Sequence, residues 1–260
     1  SIENKKLYKE NIQRAQLKKE LELAQNMQQM LFPKNLPDTH SLQVAATYLP
    51  HQQVGGDYYD FIELNNHEFI FCIADVSGKG IPAALLMSNI QATLHSLTNY
   101  THNLKDIVIE LNKGVIKNAK SEKFLSIFIG KLNTKSQQFT YINAGHNPPI
   151  LFYENKCSEL SKGCPLLGIN ELLPQVEVGT FDYTSEFTLV CYTDGLTDTE
   201  NVRNDNVTIE ALQELIKTNV DSGPGDINKK LISYAEEFKG DNEFPDDIAL
   251  LTVKVTDLNF

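Results

Sequence analysis

The order of strand-like and helix-like segments constrains the fold of this 260-residue chain more than any other feature of its sequence. Apolar segments of strand length follow one another in hairpin-like pairs, whereas the helical segments are grouped in blocks between those pairs. A parallel sheet would instead require helices that alternate regularly with strands. The pattern therefore predicts an α+β fold built on antiparallel sheets. Strands are expected at 42–49, 56–64, 69–76, 124–132, 138–143, 149–153, 175–181, 186–193 and 248–255, and helices at 80–98, 103–120, 207–218 and 225–239.

The first part of the chain is predicted to be one extended helix over residues 2–32, which are rich in Glu, Lys, Gln and Leu and contain no Gly or Pro. Four apolar residues in it have the spacing of a coiled-coil seam, although polar residues such as Gln28 interrupt that seam. They are Leu17, Leu21, Ala24 and Leu31. Two interpretations stay open: the helix pairs with a second copy, or it packs against its own domain. We divide the chain into an N-terminal helix at 1–32 and a domain at 33–260.

The charge balance disfavours two classes of partner. Lys and Arg together number 23 and Asp and Glu 34, which gives a net charge of −11. Proteins that grip nucleic acid or an anionic membrane usually display a basic patch, and no basic run is visible here. No apolar run reaches transmembrane length and no signal peptide is present, so we expect no membrane segment within this chain. The four cysteines lack metal-ligand spacing, which predicts reduced thiols and a cytoplasmic location.

Four segments of the chain each place an aspartate at the edge of a strand or next to a glycine. These aspartates are Asp57, Asp75, Asp194 and the adjacent Asp246 and Asp247. A turn or a helix cap is the simpler interpretation of any one of them alone. If they converge within about 5 Å, however, each pair repels by roughly 3 kcal/mol at an effective dielectric near 20. Hard divalent cations such as Mg²⁺ or Mn²⁺ would relieve that repulsion, and a two-metal site would activate water for attack on a phosphoryl group.

Five motifs in fixed order relate the chain to a known family. They are "VGGDYYDF", "IADVSGKGIPAALLM", "NAGHNPPIL", "CYTDGLTDTEN" and "PDDIALLTV". Together they resemble the SpoIIE/RsbU branch of the metal-dependent (PPM, type 2C) protein serine/threonine phosphatases, over about residues 23–256. The resemblance implies a β-sandwich of two antiparallel sheets with helices on both outer faces, preceded here by the extended N-terminal helix.

The resemblance also implies a ligand set for two metal ions, Mn²⁺ or Mg²⁺. The residues that match the family's ligands are Asp57, Asp75, the main-chain carbonyl of Val76, Asp194 and Asp246. Asp247 stands where relatives carry a polar partner, so we rank it below Asp246. A third ion stays open, and Asp198 and His146 are the candidates for it.

Three residues depart from the family pattern or fall outside it. Ser77 stands where eukaryotic relatives place a histidine that is a proposed general acid, so the proton donor to the leaving serine stays open. His146 stands where many relatives have an aspartate that helps to hold a third metal. It is interpreted either as a turn residue before Pro148 or as a third-metal ligand or proton donor. Asp60 is expected to be structural, because three residues along a strand it faces away from Asp57.

The function implied by the resemblance is hydrolysis of phosphoserine or phosphothreonine by a metal-activated water. The substrate it implies is a phosphorylated STAS-type anti-anti-sigma protein in a bacterial partner-switching pathway. In relatives such N-terminal helices join a sensor or receiver domain to the phosphatase, which implies an upstream domain of that kind and a homodimer through the helix. Two alternatives stay open: another two-metal phosphoesterase that acts on nucleotides or nucleic acid, and a catalytically silent module that binds a partner.

Overall fold

The structure is a computed structural model that describes residues 2–119 and 123–256. Its strands, numbered along the chain, are β1 (Leu42–Leu49), β2 (Tyr58–Asn65), β3 (Glu68–Val76), β4 (Leu125–Asn133), β5 (Gln138–Ala144), β6 (Ile150–Tyr153), β7 (Lys156–Glu159), β8 (Gly163–Cys164), β9 (Gly179–Asp182), β10 (Phe187–Tyr192) and β11 (Ile248–Val255). Its helices are α1 (Ile2–Gln29), α2 (Ile81–Thr98), α3 (Leu104–Ala119), α4 (Asp194–Thr197), α5 (Ile209–Thr218) and α6 (Pro224–Lys239).

The strands form two sheets. The first has the order β1-β11-β10-β6-β7, and the second has the order β2-β3-β4-β5-β8, with β9 also paired to β5. The pairings are antiparallel except that the two-residue strand β8 runs parallel to β5. The predicted α+β class, with two sheets flanked by helices and an N-terminal helix, is confirmed.

Alternation along each strand divides the apolar residues among three layers. Phe71, Phe128 and Leu251 belong to the core between the two sheets. Residues of the opposite parity on the second sheet pack against α2 and α3, with Met87 among the fully buried side chains there. The outer face of the first sheet packs in the same way against α5 and α6, for example through Leu231. The sandwich is therefore covered by helices on both sides.

The same alternation explains why polar groups collect at one end of the sandwich. On β3, Phe69, Phe71 and Ile73 point into the core between the sheets. Asp75 lies two residues after Ile73, so it is on the same face of the strand, near its end. On β11 the residue Ala249 faces the same core, so Asp247, two residues earlier, carries a carboxylate toward it. At this end of the sandwich, the positions that face the core between the sheets are therefore occupied by aspartates instead of apolar residues.

Helix α1 lies partly on its own domain. It ends at Gln29, three residues before the predicted end at residue 32, because the chain turns there and the Leu31 amide bonds back to the Gln28 carbonyl. Leu31 packs against the core beneath α2, whereas Leu17 is 55% exposed. Leu21 and Ala24 are half-buried, as Leu31 is. The C-terminal part of the predicted seam therefore contacts its own domain, and its N-terminal part faces solvent.

Most other predicted boundaries agree with the structure to within two residues. The strand expected at 175–181 is an exception: β9 begins at Gly179, because the Glu177 amide bonds instead to the Gly163 carbonyl. Strands β7 and β8 and helix α4 were not predicted, since two to four residues are too few to show a periodicity. Within 2–119 and 123–256, no helix combines the length and the apolar character needed to cross a bilayer.

Candidate metal centre

Five predicted site aspartates come together at one end of the sandwich. Asp57 immediately precedes β2, and Asp75 is the penultimate residue of β3. Asp194 is the first residue of α4, directly beyond β10, and Asp246 and Asp247 immediately precede β11. Each sheet therefore contributes carboxylates to the same place. Their charges act on one another, because the pKa of Asp75 is raised by burial first and then by Asp194 and Asp246.

Asp57 and Asp75 form a closely interacting pair within this cluster. Asp57 is 3% exposed and lies within hydrogen-bonding reach of Asp75. Burial and, next, the charge of Asp75 raise the pKa of Asp57 well above its usual range, while the same desolvation raises the pKa of Asp75 to about 7. The two carboxyl groups therefore hold a proton at neutral pH unless a cation takes its place.

Thr193 orients Asp57 and was not predicted as a site residue. Its Oγ1 donates a hydrogen bond of 2.6 Å to Asp57 Oδ2 and accepts one of 2.8 Å from the Ala249 amide. The hydroxyl proton is therefore directed at the carboxylate, which opposes the rise in the pKa of Asp57. Thr193 lies one residue before Asp194, so the threonine of the "YTDG" sequence was the signal available.

Asp246 and Asp247 have different surroundings. Asp247 is 7% exposed, and its two carboxylate oxygens accept main-chain amides, from His51 at 2.7 Å and from Gly56 at 3.1 Å. Asp246 is half-buried, and its Oδ2 lies 2.8 Å from Lys79 Nζ. Asp247 thus holds the chain before Asp57, whereas Asp246 accepts the amide of Asp247 at 2.9 Å through Oδ1 and pairs with Lys79 through Oδ2.

The glycines of the two motifs allow the main chain to approach the carboxylates closely. A Cβ on Gly56 would lie 2.7 Å from the Val76 carbonyl oxygen, and one on Gly55 would lie 1.9 Å from Asp247 Oδ2. Gly78 has a φ of 87°, so the chain turns sharply directly after Val76. The carbonyl of Val76 is therefore kept free of side chains at the position where the resemblance places a ligand.

The donor set suits hard divalent cations. It consists of carboxylate and carbonyl oxygens, the ligands that Mg²⁺ and Mn²⁺ prefer. The raised pKa values of Asp57, Asp75, Asp194 and Asp247 show that repulsion and desolvation are not relieved by protein groups alone. In the described ranges, no three His, Cys, Asp or Glu side chains are already spaced as the ligands of one ion.

The two candidates for a third metal lie in different surroundings. Asp198 ends α4, and its amide bonds to the Asp194 carbonyl at 2.7 Å, so it sits one turn from a predicted ligand. Its charge is the second cause, after burial, of the raised pKa of Asp194. His146 is 5% exposed, and its Nδ1 lies 2.8 Å from Ser126 Oγ. Its main-chain amide donates to Asn143 Oδ1 at 2.8 Å.

Ser77 and Asp60 make contacts of a structural kind. Ser77 Oγ accepts the Phe124 amide at 2.9 Å, which fastens the turn after β3 to the start of β4. Asp60 faces α2, where its Oδ2 lies 2.6 Å from His95 Nε2, and it also accepts the Tyr58 hydroxyl. Asp60 therefore points away from the aspartate cluster.

Gln28 joins α1 to the aspartate cluster, although in the sequence it only interrupted the seam. Its Nε2 donates to the Gly55 carbonyl at 2.7 Å, and its Oε1 accepts the Gly55 amide at 3.2 Å. Both hydrogen bonds are buried, and Gly55 lies two residues before Asp57. The position of α1 is therefore coupled to the chain that delivers the most buried carboxylate.

Comparisons with known proteins agree on one family. The family Stage II sporulation protein E (SpoIIE) matches residues 65–256. The chain is 31% identical over 245 residues to "Phosphoserine phosphatase RsbU" of Bacillus subtilis, a match that covers 92% of this chain and 71% of that protein. It spans 41% and 58% of the length of two further curated relatives.

Solved structures show the same fold at lower identity. The "SiaA-PP2C domain of Pseudomonas aeruginosa" superposes with a TM-score of 0.81 at 15% identity, covering 92% of this chain and 97% of that one. The catalytic domain of the serine/threonine protein phosphatase PstP, solved in complex with two manganese ions, superposes with a TM-score of 0.63 at 14% identity, covering 84% and 99%. These two likenesses concern the fold alone.

Proposed function

The chain belongs to the SpoIIE family of PP2C-type serine phosphatases, and on that premise we propose that it hydrolyses phosphoserine or phosphothreonine in a protein by means of two bound divalent ions. The observation that carries the proposal is the group of aspartates with raised pKa values where the two sheets end together. The carboxylates are too numerous and too buried for a purely structural role, because each adds repulsion that the fold must offset.

The proposed ligands are Asp57, Asp75, the Val76 carbonyl, Asp194 and Asp246. The chemistry that bound Mn²⁺ or Mg²⁺ supplies is an acidified water and neutralised charge on phosphoryl oxygens. Thr193 directs its proton at Asp57 and so fixes the orientation of that carboxylate. Asp247 holds the main chain at Gly56 through its amide contacts, which is why we propose Asp246 rather than Asp247 as the ligand.

A phosphorylated STAS-type protein is the proposed substrate, in a partner-switching pathway of the cytoplasm. The family match and the phosphoserine phosphatase among the relatives support it, and the free state of all four cysteines supports the location. We expect Mn²⁺-dependent release of phosphate from a phosphorylated STAS protein of the same organism, measured against nucleoside monophosphates as competing substrates. Faster hydrolysis of the nucleotides would favour the other phosphoesterase class. Binding of the phosphoprotein with no phosphate release in Mn²⁺ or Mg²⁺ would favour the silent module.

We further propose that α1 forms a parallel homodimer and transmits a signal from an upstream sensor or receiver domain. Support comes from the exposure of Leu17 and from the two Gln28–Gly55 hydrogen bonds, which link the helix to the chain before Asp57. A continuous helix transmits rotation or pairing, whereas a flexible linker does not.

The double change Leu17→Glu with Leu21→Glu is expected to convert the dimer to monomer and to alter the rate on a phosphoprotein without unfolding the domain. Charges on the seam repel across a parallel pair, while the buried contacts of Leu31 and Gln28 remain. Light scattering and phosphate release would measure both effects. Gln16→Glu with Asn26→Glu, which adds the same charge on exposed positions outside the seam, serves as control. A wild-type monomer at high concentration with unchanged activity in the seam variant would contradict the proposal.

A further inference from the structure

The "NAGHNPP" motif has no role in the proposed ligand set, yet it occupies a special place in the fold. It leaves β5 in the second sheet and enters β6 in the first, so it is a connection between the two sheets at the end that carries the aspartates. Each sheet supplies part of the proposed metal centre. The separation of the ligands therefore depends on how the two sheet ends are held together.

His146 connects this motif to the neighbour of Asp75. Its Nδ1 lies 2.8 Å from Ser126 Oγ, and Ser126 is the residue directly opposite Asp75 in the β3–β4 ladder. Side chains that face each other in an antiparallel pair project from the same side of the sheet, with Cβ atoms about 5 Å apart. His146 is thus hydrogen-bonded to the hydroxyl of Ser126, the side chain next to Asp75 on the sheet.

The burial of the His146 imidazole favours its neutral state. Burial lowers the pKa of His146 to about 4, and the main-chain carbonyl of Tyr192, on the other sheet, offsets a small part of that effect. Nε2 is buried and makes no hydrogen bond of ordinary length within the described residues. A neutral imidazole has one N–H and one acceptor nitrogen, so a ring that carries its proton on Nε2 accepts the Ser126 hydroxyl at Nδ1.

The next residue of the motif reaches the other proposed ligand. Asn147 Nδ2 donates to Thr197 Oγ1 at 3.2 Å, and that hydroxyl donates in turn to the Asp194 carbonyl at 3.1 Å. The loop itself is held by the hydrogen bond between Asn143 Oδ1 and the His146 amide. A short, internally bonded loop therefore contacts the neighbour of Asp75 on one sheet and the helix of Asp194 on the other.

We propose that His146 is a positioning residue that, through Ser126 and together with Asn147, fixes the separation between Asp75 and Asp194 for metal binding. This inference rests on the proposed function. It assigns His146 neither a place among the ligands nor a proton-transfer step. Residues that hydrogen-bond to metal ligands and so orient them typically weaken metal binding by about 10–100-fold when they are removed.

The test is direct measurement of Mn²⁺ affinity by calorimetry on the whole chain, together with phosphate release at limiting and saturating Mn²⁺. His146→Leu is expected to weaken Mn²⁺ binding about 10–100-fold, with turnover largely restored at saturating Mn²⁺. His146→Gln, which keeps an acceptor for Ser126, is expected to stay within about tenfold of the wild type in affinity and rate. Ser126→Ala, which removes only a hydroxyl, should weaken binding in the same direction as His146→Leu.

The control is Val253→Ala, which removes buried apolar volume from β11 four residues beyond Ala249 and away from the aspartates. It should lower stability without changing Mn²⁺ affinity. Unchanged Mn²⁺ affinity in both His146→Leu and Ser126→Ala would overturn the inference while leaving the proposed function intact. Loss of turnover of about a hundredfold or more in His146→Gln at saturating Mn²⁺ would also overturn it, in favour of direct participation. A wild-type chain that binds no Mn²⁺ would overturn the proposed function itself.

Discussion

Asp75→Asn is expected to abolish phosphatase activity, by roughly a thousandfold or more, in a protein that still folds. Asparagine keeps the shape of the side chain but lacks the charge that would hold two cations. A bound metal supplies several kcal/mol of stabilisation to a phosphoryl transition state, and about 4 kcal/mol corresponds to a thousandfold in rate. The fold is expected to survive because, within the described residues, Asp75 makes no ion pair with a cationic side chain whose charge it would leave unpaired. Phosphate release at saturating Mn²⁺ measures the effect.

Asp241→Asn provides the matched control, since it makes the same chemical change at an exposed aspartate in the turn after α6. We expect wild-type activity from it. Circular dichroism and thermal melting establish that both variants are folded. Activity within about tenfold of the wild type in a folded Asp75→Asn protein would contradict the assignment of Asp75 as a ligand, because general acid–base roles alone account for 10²–10⁴-fold.

The sandwich could be predicted because its signals are local. The alternation of Phe69, Phe71 and Ile73 is visible in the sequence, and the same alternation carries Asp75 to the core side of the sheet. Hairpin-like spacing of the strand segments then favours antiparallel pairing. The fold class follows from patterns a few residues long. The prediction that the aspartates at the strand ends form one site rests on the same patterns.

The parts that could not be predicted depend on contacts between distant residues. Gln28 contacts Gly55 across 27 positions, and Thr193 contacts Asp57 across 136. Nothing local distinguishes Gln28 from the other glutamines of α1. Its significance appears only when the helix lies on the domain. The relation of Ser126 to Asp75 likewise requires the register of β3 against β4, which the long helical connection between the two strands leaves open.

The different surroundings of Asp246 and Asp247 also could not be predicted from the sequence. Asp246 and Asp247 are adjacent, so spacing cannot tell which of them faces the proposed ions. In the structure their contacts differ: both oxygens of Asp247 accept main-chain amides from the segment before Asp57, whereas Asp246 accepts the amide of Asp247 through one oxygen and pairs with Lys79 through the other. These contacts, rather than position in the motif, are why we propose Asp247 as the residue that holds the chain and Asp246 as the ligand.

The metal-free protein is expected to lose stability through Asp75 as the pH rises from about 4 to about 8. Burial raises the pKa of Asp75 in the folded state to about 7, against about 3.9 in an unfolded chain. Between these values the folded state binds more protons than the unfolded state, so the free energy of unfolding falls as the pH rises. The raised pKa of a carboxyl group therefore favours the folded state at low pH and disfavours it above the folded pKa.

The effect of Asp75 is isolated by comparing the wild type with Asp75→Asn at each pH. His95 and His146 contribute to the pH dependence of the free energy of unfolding in both proteins, so their contributions cancel in the difference. The shift corresponds to at most about 4 kcal/mol, and because Asp75 is partly exposed and coupled to Asp57 we expect about 2–4 kcal/mol. The variant should therefore melt roughly 5–10 °C above the wild type at pH 8 in a chelator, and close to it at pH 4. Differential scanning calorimetry measures both.

Mn²⁺ should reverse the order at pH 8. A ligand that binds the folded state stabilises it by mass action, by about 4.1 kcal/mol at a thousand times its dissociation constant, and at that concentration the wild type should gain more than its deficit while Asp75→Asn gains little. Mg²⁺ should act in the same direction. A difference between the two proteins that does not change with pH would show that Asp75 is not held in a repelling, desolvated cluster. An equal gain from Mn²⁺ in both would show that the ion binds without Asp75, and the ligand set would then have to be assigned to other carboxylates.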